Sequence, residues 1–138
     1  MDLLLQAHAL ATAALAGLVW VVQLAVYPAF RTVGPTPQWP AYHRAHSSAM
    51  VRLTALPWLV QGGCIAVLLV RQPSPLLLLT GALAATTVAV TVLLSVPLHA
   101  RLGQAYDDAT AVRLIRTNWL RTVAWTAGAV CAAVLAGS

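Results

Sequence analysis

The sequence contains no lysine, only three acidic residues (Asp2, Asp107 and Asp108), one phenylalanine and two cysteines in 138 residues. Charged residues make up 8% of the chain, against about 25% in a soluble domain. That deficit excludes a soluble globular fold, because a domain of this size still has a large surface to keep in water. The shortage of carboxylates excludes the di-iron centre that four-helix bundles build from Glu and Glu-x-x-His ligands. Cys64 and Cys131 lie inside apolar runs and give no disulfide framework or thiol motif, so they read as small packing residues. No phosphate loop, dinucleotide fingerprint, nucleophile elbow or zinc-protease helix occurs.

What the chain has is apolar length. It is 60% hydrophobic with a mean hydropathy of +0.81. A bilayer core needs about 20 apolar residues per helix, and four segments supply them: Leu3–Phe30, Ser48–Val70, Leu76–Leu98 and Asn118–Ala136, the last extended at its start by Ala111–Thr117. Only helix satisfies the backbone of such segments in lipid. The chain therefore reads as an all-α integral membrane protein, a four-transmembrane-helix bundle in a single domain over residues 1–138. The first stretch is too long for a signal peptide and has no basic residue before it, so it reads as a permanent span.

The connections are marked by Gly34-Pro35-Thr36-Pro37 and Arg71-Gln72-Pro73-Ser74-Pro75. Trp39 to Ser48 reads as a helical lead-in with Pro40 in its first turn. Arg101 to Arg116 reads as a polar segment at the membrane interface. The net charge of +5 comes from arginine alone. Arg31, Arg44, Arg52, Arg101, Arg113, Arg116 and Arg121 fall on one side of the membrane and only Arg71 on the other. Basic loops stay cytoplasmic, so both termini are expected on the periplasmic or external face of a bacterial-type inner membrane. The partners expected are the lipid bilayer and a hydrophobic small molecule, with a homo-oligomer left open. The charge is explained by membrane orientation, and no nucleic acid is expected.

Polar side chains within spans are costly and mark function. The topology brings Gln23 and Tyr27 of span one, His43 and His46 ahead of span two, His99 at the end of span three, and Asn118 and Arg121 of span four to one level. His43 and His46, three apart, share a helical face. With His99 they form a candidate metal site of three imidazoles, suited to copper, iron or zinc; as a rival reading, they are hydrogen-bonding residues at the interface. His8 lies 19 residues before Tyr27, ~28 Å along a helix, and is either a haem ligand or a histidine bonded to a neighbouring helix. Arg121 is free to bind an anionic or enolate-like ligand, or to reach lipid headgroups. The tryptophans Trp20, Trp39, Trp58, Trp119 and Trp125 fit an aromatic belt, with Trp125 deep enough to line a pocket and Trp119 close by.

Val96-Pro97-Leu98-His99-Ala100-Arg101-Leu102, followed by Asn118-Trp119-Leu120-Arg121-Thr122, resembles the anthrone oxygenase-like family of small four-helix membrane proteins. That family shows a Pro-Leu-Asn-x-x-Leu element and then Trp-x-x-x-Asn-x-x-Arg-Thr; here His99 stands at the first Asn and Leu114 at the first Trp. The resemblance covers roughly the second half of the chain. In the first half, His8, Trp20 and Tyr27-Pro28 loosely resemble the copper-resistance-D and membrane protoporphyrinogen oxidase group, which would imply a haem on His8.

The expectation is a membrane oxidoreductase or oxygenase acting on a hydrophobic aromatic, quinone-like or lipidic substrate. His43, His46 and His99 would ligate a metal or act as acid and base, Arg121 and Asn118 would stabilise an oxyanion, and Gln23, Tyr27, Trp119 and Trp125 would hold the substrate. The alternative is a non-catalytic membrane module: a partner subunit, or a lipid, haem or metal carrier, with the polar cluster serving as glue between helices.

Overall fold

The computed structural model describes residues 2–137 and contains four long helices: α1 (Leu3–Val33), α2 (Trp39–Arg71), α3 (Pro75–Gln104) and α4 (Asp108–Gly137). Each is long and apolar enough to cross a membrane, and no strand occurs among the described residues. The helix ends follow from short-range chemistry. The Asp2 carboxylate accepts the Leu4 N–H at 2.9 Å, and the Ser74 hydroxyl accepts the Leu77 N–H at 3.2 Å. Each satisfies an otherwise unpaired donor of a first turn. Asp107 does the same for α4, accepting the Thr110 N–H at 2.8 Å and its hydroxyl at 2.6 Å, which holds its carboxyl below the usual carboxylate range.

The helices run 30 to 33 residues, about 45–50 Å at 1.5 Å per residue, longer than a hydrocarbon core of about 30 Å. Two expectations change as a result. Arg101 to Arg116 does not form a segment lying at the interface: α3 runs to Gln104, α4 starts at Asp108, and three residues join them. Arg121 is accordingly near the middle of α4 rather than at its start. The helical lead-in at Trp39 is present and continuous with α2. At the arginine-rich end Phe30, Trp39, Leu98, Leu102, Ala111 and Leu114 bury one another in a single cluster. The Arg31 guanidinium donates to Asp108 at 2.8 and 3.1 Å, and the Tyr106 hydroxyl donates to the same carboxylate at 2.9 Å.

Packing around the bundle is uneven. α1 lies against α2 and α4, and α4 against α3, while α2 and α3 meet sparsely. Large apolar side chains point outward, with Leu10 and Leu59 each 75% exposed and Val70 85%. Water disfavours such a surface strongly; lipid covers it without cost. The chain is an integral membrane four-helix bundle.

Candidate functional site

Two helices break their regular repeat on the way to the site. α1 takes a π-helical turn at Val22–Val26 and α3 another at Thr91–Ser95. Pro28 and Pro97 follow each turn by two residues. Proline lacks the N–H that would hold the carbonyl four residues back, so a wider turn is accommodated at both places. Such turns recur at functional sites. Here they carry Gln23 and Ser95 and set the facing of Tyr27 and His99.

Beside these turns lies a cavity of about 320 Å³, walled by apolar side chains of α1, α2 and α3 and by Tyr27, His46, Ser95, His99, Arg121 and Trp125. Tyr27, His99 and His43 form a hydrogen-bonded chain: Tyr27 Oη lies 3.0 Å from His99 Nε2, and His99 Nδ1 lies 3.1 Å from His43 Nε2. His46 stacks on His99, with ring centroids 5.5 Å apart and planes 22° from parallel. Phe30 sits edge-on among all three imidazoles. The chain begins at the cavity wall and ends at His43, which lies behind it.

Among the described residues, Arg121 is the only cation on the wall. It makes no ion pair among the described residues. Its Nη1 reaches Ser95 Oγ at a long 3.4 Å, its Cζ lies 5.1 Å from the Trp125 ring centroid, and it acts electrostatically on Tyr27. Among the described residues, three buried N–H donors at this cavity have no hydrogen-bond partner: Arg121 Nε, Trp58 Nε1 and Trp125 Nε1. The two indole rings are 6.1 Å apart. Buried donors are normally satisfied, so three unsatisfied ones around one apolar cavity define a place for acceptor oxygens.

The expected cluster thus divides. Tyr27, His46, His99, Arg121 and Trp125 meet at the cavity, with His43 behind His99. Gln23 and Asn118 do not line it. Asn118 Nδ2 donates to Gln23 Oε1 at 2.8 Å and Gln23 Nε2 to the Ile115 carbonyl at 3.2 Å, a buried link between α1 and α4. Trp119 does not line the cavity either. It is 41% exposed, and its ring meets Trp20 edge to face at 5.6 Å on the outside of the bundle.

The three histidines expected to ligate a metal are not arranged as a metal centre. Among the described residues no group of three or more His, Cys, Asp or Glu is arranged to hold a metal ion. The reason is visible in the rings. Both nitrogens of His99 are engaged by Tyr27 and His43, and His46 offers His99 a ring face, so the lone pairs do not converge on one point. His8 stands apart from these three histidines. His8 is completely buried, its Nδ1 faces Thr12 Oγ1 at 3.4 Å, and neither cavity described here is lined by it. Thr12 in turn accepts from Gln61 Nε2 at 3.1 Å, so His8 belongs to a polar link between α1 and α2.

Ser95 and Trp58 are site residues that the sequence reading passed over. Ser95 was detectable as a polar residue two positions before an intramembrane proline. Trp58 was hidden among four other tryptophans that share the appearance of an interfacial belt. The chain matches no protein-family model, no curated protein and no solved structure.

Proposed function

We propose that this protein is a membrane-embedded oxidoreductase of the oxygenase type, acting on a hydrophobic, enolisable aromatic or quinone-like substrate. The observation that carries the reading is the Tyr27–His99–His43 chain opening beside Arg121, which makes no ion pair among the described residues, on the wall of an apolar cavity. A ligand entering from lipid places its oxygen against Arg121, where guanidinium stabilises an enolate or phenolate.

The chain supplies the proton path. A neutral imidazole donates from one nitrogen and accepts at the other. His99 therefore either accepts from Tyr27 and donates to His43, or accepts from His43 and donates to Tyr27. Passing from one sense to the other carries one proton between the cavity and His43. The residues so arranged take the substrate proton and leave an electron-rich anion held by Arg121. Dioxygen is the oxidant that the resemblance implies. Oxidising a substrate methylene to a carbonyl uses one O₂, with one oxygen atom entering the product and the other leaving as water, so no further reductant is required. Histidine and tyrosine perform the acid–base work in this scheme, and no step calls for a metal.

The protein is proposed to sit in a bacterial-type inner membrane with both termini outside, which the arginine distribution supports. The test is oxygen uptake by the purified protein in detergent with 1,8-dihydroxyanthrone. Uptake above the uncatalysed rate, lost in His99→Ala, supports the reading. Ligand binding without uptake would make the protein a carrier of such molecules.

A further inference from the structure

We infer that the ligand of this protein carries a long apolar chain, and that the chain lies in the cleft between α2 and α3 on the far side of Trp58. The inference rests on the reading above, since it takes the head of the substrate to be held at Arg121. A second cavity, of about 560 Å³, separates α2 from α3. Trp58 belongs to the walls of both cavities, so the two adjoin at its indole. On α2 their walls run from His46 to Ile65, 19 residues or ~28 Å at 1.5 Å per residue. That is close to the thickness of the hydrocarbon core.

The two ends differ in chemistry. All three unpartnered N–H donors are at the Trp58–Arg121 end, and Trp125 among them is only 2% exposed. Beyond Trp58 the walls are alanine, glycine, leucine, isoleucine and valine. Gln61 is the exception, and its Nε2 is committed to Thr12. The cleft exists because the facing positions are small. A Cβ on Gly62 would meet nothing within 4 Å, and one on Gly81 would make ordinary contacts with Ile65 Cγ2 at 3.6 Å and Leu69 Cδ1 at 3.9 Å. A molecule with acceptor oxygens at one end and a prenyl or acyl chain at the other matches this order of walls. A chainless aromatic would leave the larger cavity to whichever lipid tail drifts in.

A chain is already out of water when it lies in the bilayer, so burial in the cleft adds little hydrophobic gain. The expected signature is positional and specific to the cleft. The probes are 2-methyl-1,4-naphthoquinone and its geranylgeranyl derivative, with binding read from quenching of tryptophan fluorescence. The chain-bearing probe is expected to bind at least tenfold more tightly to the wild-type protein. Gly62→Phe and Ala85→Phe, which fill the cleft from opposite helices, should remove that preference while leaving the chainless probe within about twofold. A derivative with a diazirine at the chain end should crosslink to residues 81–88 of the wild-type protein, a readout independent of either variant. Equal affinities in the wild type, a preference that survives both variants, or crosslinks spread over lipid-facing residues of α1 and α4 would each overturn the chain assignment. Arg121→Gln tests the head separately. Loss of binding for both probes supports the head at Arg121, and unchanged binding of both sinks the parent reading while the crosslinks still report on the cleft.

Discussion

His43 and His99 meet nitrogen to nitrogen at 3.1 Å across the sparse seam between α2 and α3. One turn away the Trp39 indole N–H donates to the Leu102 carbonyl at 2.8 Å across the same seam. The two helices are thus tied at the arginine-rich end, and both cavities open below the tie.

The relay predicts a separation between binding and turnover. His99→Ala should lower oxygen uptake by about 10²–10⁴, the range for a positioned acid–base group. Quinone binding, measured by fluorescence quenching, should change by less than about threefold. Tyr27→Phe keeps the ring and removes the hydroxyl, and should show the same pattern. A parallel loss of binding and turnover in both variants would show that these residues only shape the cavity.

Arg121 predicts a geometric requirement as well as a charge requirement. Arg121→Gln should weaken ligand binding about tenfold or more, since hydrogen bonds to a charged group contribute about 1.5–3 kcal/mol. Arg121→Lys keeps the charge and loses the planar fork, so it should recover less than half of that loss in binding free energy. Full recovery by lysine in a titration would reduce the role of Arg121 to charge alone.

The Gln23–Asn118 link predicts a stability effect. A double-mutant cycle with Gln23→Leu and Asn118→Leu should give a coupling of about 0.6–1.7 kcal/mol, as for hydrogen bonds between membrane helices. Unfolding in mixed detergent measures it. A coupling near zero would show that the pair is not maintained in the membrane.

The turn at Gly34 predicts a steric effect. A Cβ there would overlap the Tyr106 ring, and that ring's hydroxyl is bonded to Asp108. Gly34→Ala should cost about 1–3 kcal/mol, the usual range for overpacking, seen as a lower Tm in detergent. Adding Tyr106→Ala should restore most of the loss by removing the ring in the way.

The arginine distribution predicts topology. A reporter fused after Gly137 should read as external and one inserted at Gly34 as cytoplasmic. The reverse pattern would invert the proposed orientation.

The four helices were legible in the sequence because apolar length is a strong signal, and so was the convergence of Tyr27, His43, His46 and His99. Helix facing was harder to read. A polar residue at the right depth can point into a cavity, as Arg121 does, or into a neighbouring helix, as Asn118 does three residues earlier. The π-helical turns make this worse by shifting the facing of everything after them. Trp119 and Trp125 illustrate the same limit, since six residues separate a ring on the lipid face from one in the core. The cleft between α2 and α3 was not legible at all, because it depends on which helices fail to touch.

Each π-helical turn holds one residue more than a regular turn would, and one residue is worth about 100° of rotation on a helix. Deleting a single residue within Val22–Val26 would therefore return this turn to a regular one and keep Tyr27 on its present face, whereas straightening the turn with all five residues retained would swing everything after it, Tyr27 included, to a different face. His8 and Thr12, on the other side of the turn, would stay where they are. The chain can in this way lose its proton path by a change of helical repeat alone, with every side chain of that path still present.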